Sequence, residues 1–73
     1  MTLQFEYAKT IPGTCIKAEI HEMGRGWWRY FLTNEETGEM SGVHEFHLRT
    51  LTVNHEGAAE VAFAIWLSHK LET

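Results

Sequence analysis

Cysteine occurs once in this chain of 73 residues, as Cys15, and proline once, as Pro12. A single thiol excludes an internal disulfide framework and makes a reducing, cytoplasmic setting the expectation. Long apolar runs are missing as well: nothing approaches the roughly 20 consecutive apolar residues that a spanning helix needs. The opening MTLQFEYAKT carries no charged stretch leading into an apolar one, so a secretory signal is not expected there. Linkers, repeats and low-complexity segments are absent too.

Cations are in the minority, six against ten acidic residues for a net charge of −4. That balance disfavours non-specific nucleic-acid binding, which draws its strength from neutralising phosphates. The acids are scattered rather than massed, so the chain does not read as a mimic of DNA. Only Lys70 supplies positive charge to the C-terminal apolar segment, which disfavours a membrane-surface helix. No membrane association is expected.

What is present is an ordinary globular composition, 44% hydrophobic and 22% charged, in one domain spanning 1–73. A domain of this length buries only about 60% of the surface its unfolded chain exposes. Self-association is a common remedy for so small a core.

The C-terminal segment AAEVAFAIWLSHKL, from Ala58 to Leu71, reads as a helix with more apolar residues than one buried face requires. At about 100° per residue, Ala58, Ala59, Val61, Ala62, Ile65 and Trp66 cover one broad arc. Phe63, Leu67 and Leu71 form a second stripe beside it, flanked by Glu56 and Glu60. A helix apolar on most of its circumference is buried on most of it. The second stripe therefore calls for more sheet or for another molecule.

Upstream, the pattern is β. Leu3, Phe5 and Tyr7 alternate with polar residues, and Ile16, Ala18 and Ile20 alternate with Lys17, Glu19 and His21. Pro12-Gly13 fits the turn between these two strands. Gly24-Arg25-Gly26 permits a reversal into Trp27–Thr33, a β-favouring run that is bulky on both faces. Asn34–Gly38 reads as a hairpin loop and Glu39–His47 as a fourth strand, with Gly42 as the mark of a bulge. Leu48–Val53 breaks the alternation, either as more strand or as an irregular crossover. Asn54 is placed to cap the helix, with Glu56 in its first turn. The fold expected is α+β: an antiparallel meander of three to four strands with one C-terminal helix packed on one face.

Four groups of residues invite a functional reading. In Arg25, Trp27, Trp28, Arg29 and Tyr30, guanidinium and aromatic groups interleave, the combination that stacks on unpaired bases. A helix covers one face of such a strand and leaves either Trp27, Arg29 and Phe31 or Trp28, Tyr30 and Leu32 open. Five histidines, at 21, 44, 47, 55 and 69, bring no cysteine framework with them, and on a strand His44 and His47 face opposite ways, so no metal site and no cofactor are expected. They do make a pH-dependent association conceivable, because histidine titrates near neutrality. Neither Cys15 with a histidine nor the adjacent Glu35 and Glu36 form a catalytic motif, and the chain is not expected to be an enzyme. Lastly, Phe63, Leu67 and Leu71 form the expected homodimer interface, since a two-fold contact reuses one patch on both subunits. In such a contact Glu60 needs a partner such as Lys70.

The function these features imply is a small binding module, homodimeric and acting through protein–protein contact. The aromatic strand with Arg25 and Arg29 is its ligand surface. The alternative is single-stranded nucleic-acid binding through Trp27–Tyr30.

Overall fold

The computed structural model describes residues 4–49 and 53–71. Strands β1 (Tyr7–Thr10), β2 (Ile16–Gly24), β3 (Trp27–Asn34) and β4 (Met40–His47) are followed by helix α1 (His55–Leu71). The four strands form one antiparallel sheet in the order β1-β2-β3-β4, a meander with the helix laid over β2 and β3. The α+β architecture expected from the sequence is the one observed. No helix among the described residues is long and apolar enough to cross a membrane.

The alternation in β2 and β3 decides which face is buried. Ala18 lies opposite Leu32 and Ile20 opposite Tyr30, while Trp28 lies opposite Phe46 of β4. All six are buried, and they meet Ala58, Ala59, Ala62 and Trp66 of the helix in one core cluster. Three alanines on the buried arc and Ala18 beneath bring the helix axis close to the sheet. Val61, Phe63 and Ile65 pack at the margins.

Each turn is fixed by side chains suited to it. The Thr14 hydroxyl donates to the Ile11 carbonyl and accepts from the Ile16 amide, tying together the link between β1 and β2. The Asn34 side-chain oxygen accepts from the amides of Glu36 and Thr37 in the β3–β4 loop. Between β2 and β3 the backbone is left-handed at Gly24, Arg25 and Gly26. Gly26 is required there for two reasons. Its φ is 84°, and a Cβ at that position would lie 2.4 Å from the Leu48 carbonyl oxygen. That close approach lets the Leu48 amide donate to the Gly26 carbonyl at 2.8 Å, docking the turn against the end of β4.

The bulge expected at Gly42 is present. The register between β3 and β4 shifts between Phe31 and Thr33, Gly42 has φ 78°, and the Ser41 hydroxyl accepts the Leu32 amide in place of a ladder carbonyl. β4 is an edge strand, and a bulge twists such an edge away from further pairing. At the helix start, the Asn54 side chain accepts the Gly57 amide at 2.8 Å, so the cap is where the sequence puts it.

One boundary differs from the sequence reading. The first strand, expected around Leu3, Phe5 and Tyr7, begins at Tyr7 and runs to Thr10. Its ladder to β2 starts at Tyr7 opposite Ile20, and beyond that a side chain replaces the backbone partner, as described below. Leu3 lies outside the described residues. Of the stretch that the sequence left open as more strand or a crossover, Leu48 and Arg49 are not in the strand, and positions 50–52 lie outside the described residues.

Candidate functional site

The face of the sheet opposite the helix is covered by no element among the described residues. Strand registry places its residues in rows. Thr33 has Lys17 and Met40 as neighbours, Phe31 has Glu19 and Val43, Arg29 has His21 and Glu45, and Trp27 has His47. Trp27 and Val43 are exposed on this face, at 46% and 42%, and Phe31 is half-buried between its neighbours.

Its central charges are paired within the chain. Arg29 donates through Nε and Nη2 to one oxygen of Glu45, at 3.1 and 2.8 Å. Trp27 meets the His47 ring edge-on at 5.1 Å between centroids, and His47 Nε2 contacts the Arg25 carbonyl oxygen. The Trp27–His47 corner is thereby joined to the glycine-flanked turn.

This arrangement divides the aromatic–basic group singled out in the sequence. Arg25, Trp27 and Arg29 lie on or beside the open face. Trp28 and Tyr30 do not belong to it: each is only 3% exposed, because alternate residues of a strand point to opposite faces and theirs is the one the helix covers. Tyr30 packs against Phe46 and the His44 ring, and burial pushes its hydroxyl pKa up. Of the two sets the sequence left open, the uncovered one is Trp27, Arg29 and Phe31.

The helix stripe is also divided. Phe63 packs against the margin of the core, whereas Leu67 and Leu71 are exposed, Leu71 at 87%. Lys70 forms a 2.6 Å ion pair with Glu39 at the β3–β4 loop and sits 4.8 Å over the Trp66 ring. The expected role of Lys70 as a partner for Glu60 in a dimer thus competes with contacts inside its own chain.

No family model, curated protein or solved structure matches this chain.

One constellation was not legible in the sequence. The Glu6 carboxylate, just before β1, receives three hydrogen bonds: from His21 Nδ1 at 2.7 Å, His55 Nε2 at 2.8 Å and the Glu22 backbone amide at 2.7 Å. The His55 ring is in turn stacked on Tyr7 and set edge-on to Trp28. Burial alone would raise the Glu6 pKa. The Glu22 amide, His21 and His55 outweigh it and hold the carboxyl at about 2, against an ordinary 4.5. A shallow depression of about 370 Å³ opens beside this group, lined by Gln4, Phe5, Glu6 and His21. The participants are separated by 15 and 49 residues along the chain, so no local spacing could have announced them.

Cys15 and Glu36, weighed in the sequence as separate catalytic candidates, are brought together at the far end of the sheet. The thiol contacts a Glu36 carboxylate oxygen at 3.4 Å. That contact, with the negative charge behind it, raises the pKa of Cys15, and a thiol held protonated is a poor nucleophile.

Proposed function

We propose that this protein is a small binding module acting through protein–protein contact, with the open sheet face as its ligand surface and the exposed helix stripe as its self-association surface. The observation that carries the reading is the uncovered face itself. Trp27, Phe31 and Val43 lie there around an Arg29–Glu45 pair whose charges are already matched. Exposed aromatic and aliphatic area around a satisfied polar centre suits a protein surface, where Trp, Phe and Arg are enriched at the centre of contacts. On the opposite side of the molecule, Leu67 and Leu71 extend the apolar stripe that Phe63 begins, and a two-fold contact between helices would cover it.

Single-stranded nucleic acid is the weaker reading. Two of the aromatic rings it relied on, Trp28 and Tyr30, are in the core, and Arg29 is engaged by Glu45. Glu19 also borders the face.

Two measurements test the proposal separately. Light scattering over a wide concentration range should show a dimer for the wild type and a monomer for Leu67→Glu with Leu71→Glu; an unchanged mass would remove the helix stripe from the model of assembly. Affinity capture with the wild type as bait should retain a partner that Trp27→Ala with Phe31→Ser loses and the helix variant keeps. Capture indifferent to Trp27 and Phe31 would remove the open face from the binding role.

A further inference from the structure

Glu6 occupies the point where the β1–β2 ladder stops. Backbone pairing between these strands begins at Tyr7 opposite Ile20. Two residues further along β2, the Glu22 amide finds its acceptor in the Glu6 side chain instead. The same carboxylate reaches sideways to His21 on β2 and to His55 in the first turn of α1. A single side chain therefore fastens the segment before β1 to two other elements.

We propose that Glu6, His21 and His55 form a carboxylate-pinned clasp that closes the segment 4–6 over β2 and the start of α1, and that protonation of Glu6 releases it. The chemistry lies in the donor count. An ionised carboxylate only accepts, so both imidazole nitrogens and the Glu22 amide must present N–H groups to it. A neutral imidazole keeps one N–H, so the clasp closes whether or not the histidines are charged. Adding a proton to Glu6 puts a fourth hydrogen among three donors and withdraws the charge that makes these bonds strong. The release is accordingly governed by the carboxylate and not by the histidines.

The surrounding charges are mixed. His21 faces Glu6 from β2, with the Glu22 backbone amide beside it, Arg29 stands opposite His21 on β3, and His55 comes from α1, where Glu56 is the next residue. The low Glu6 pKa fits the three hydrogen bonds, which outweigh the effect of burial. Opening would free the His55 ring from Tyr7 and uncover the edge of Trp28, beside the depression that Phe5 and His21 line.

Amide hydrogen exchange on the full chain tests the clasp, with the Glu22 amide as the reporter and the amides of Ile20 and Tyr30 as markers of the sheet. The expected result is protection of all three at neutral pH, with Glu22 losing protection first as the pH falls towards 2. In Glu6→Gln at neutral pH, Glu22 should lose about fivefold in protection, the net worth of one ordinary hydrogen bond, while Ile20 and Tyr30 stay as in the wild type. Joint loss at all three sites on acidification would overturn the proposal, as would wild-type protection of Glu22 in the variant. The acid series uses the wild type alone, so it decides the matter even where the variant fails to fold.

Discussion

Trp27 and Trp28 are neighbours in the chain and lie on opposite sides of the sheet, the first 46% exposed on the open face and the second 3% exposed beneath the helix. The two side chains are chemically identical, so any difference in the effect of deleting them reports position alone. Trp28 touches the edge of His55 and lies opposite Phe46, within the cluster that includes the helix alanines. Trp28→Ala should cost about 3–5 kcal/mol, as large-to-small changes in a packed core do. Trp27→Ala should cost less than about 1 kcal/mol, the range of surface substitutions. Chemical denaturation of the two variants measures both; equal losses would mean that Trp27 is as buried in solution as Trp28.

That pair also shows what the sequence could and could not disclose. Alternation along Ile16–Ile20 and the flanking turn residues placed the strands, because period-two patterning and glycine conformations are local properties. The same held for the bulge at Gly42 and the cap at Asn54. In β3 both alternating sets are aromatic or bulky, so the pattern could not say which set faced the helix; only registry against Ile20 and Phe46 resolves it. The Glu6 clasp was beyond reach for a different reason. Its members meet only after the sheet has formed and the helix has been laid on it, and the apparent alternation of Phe5 with Glu6 suggested a strand where a side chain takes over the pairing.

The turn before β3 should be intolerant of substitution at one position. Alanine at Gly26 would hold a left-handed φ of 84° and place its Cβ 2.4 Å from the Leu48 carbonyl oxygen, a backbone atom that cannot swing aside. Backbone strain of this kind costs about 1–3 kcal/mol, and relieving the clash would also disturb the hydrogen bond from Leu48 to Gly26. Gly26→Ala should therefore lower stability by at least about 2 kcal/mol. A midpoint of denaturation unchanged from the wild type would show that the turn can shift away from β4 at little cost.

Cys15 is exposed yet should react slowly. Its contact with Glu36 and the nearby charge of that carboxylate raise its pKa, which lowers the fraction of thiolate, the nucleophilic form, near neutral pH. Alkylation by iodoacetamide should be slower than for a free cysteine in a peptide, and Glu36→Gln should accelerate it. The alkylation rate plotted against pH should shift to lower pH in the variant. Coincident profiles would show that Glu36 does not govern the thiol in solution.

Glu6 gives the pH dependence of stability a defined sign. Its carboxyl titrates at about 2 in the folded chain against 4.5 for an ordinary glutamate. A depressed value means that the folded state holds the charged form more firmly than the unfolded state does. The resulting stabilisation is fully present above about 4.5 and is lost as the pH falls from there through about 2. Glu6 and its imidazole partners are partly open to water, with 43% of the Glu6 side chain exposed, and screening holds the contribution to at most about 1 kcal/mol. Denaturation of the wild type and of Glu6→Gln across this range should give two stability curves that converge in acid and separate above 4.5, with the wild type higher. Curves that run parallel throughout would show that Glu6 carries no charge-dependent share of the stability, and that its three hydrogen bonds are no stronger than those its uncharged replacement makes.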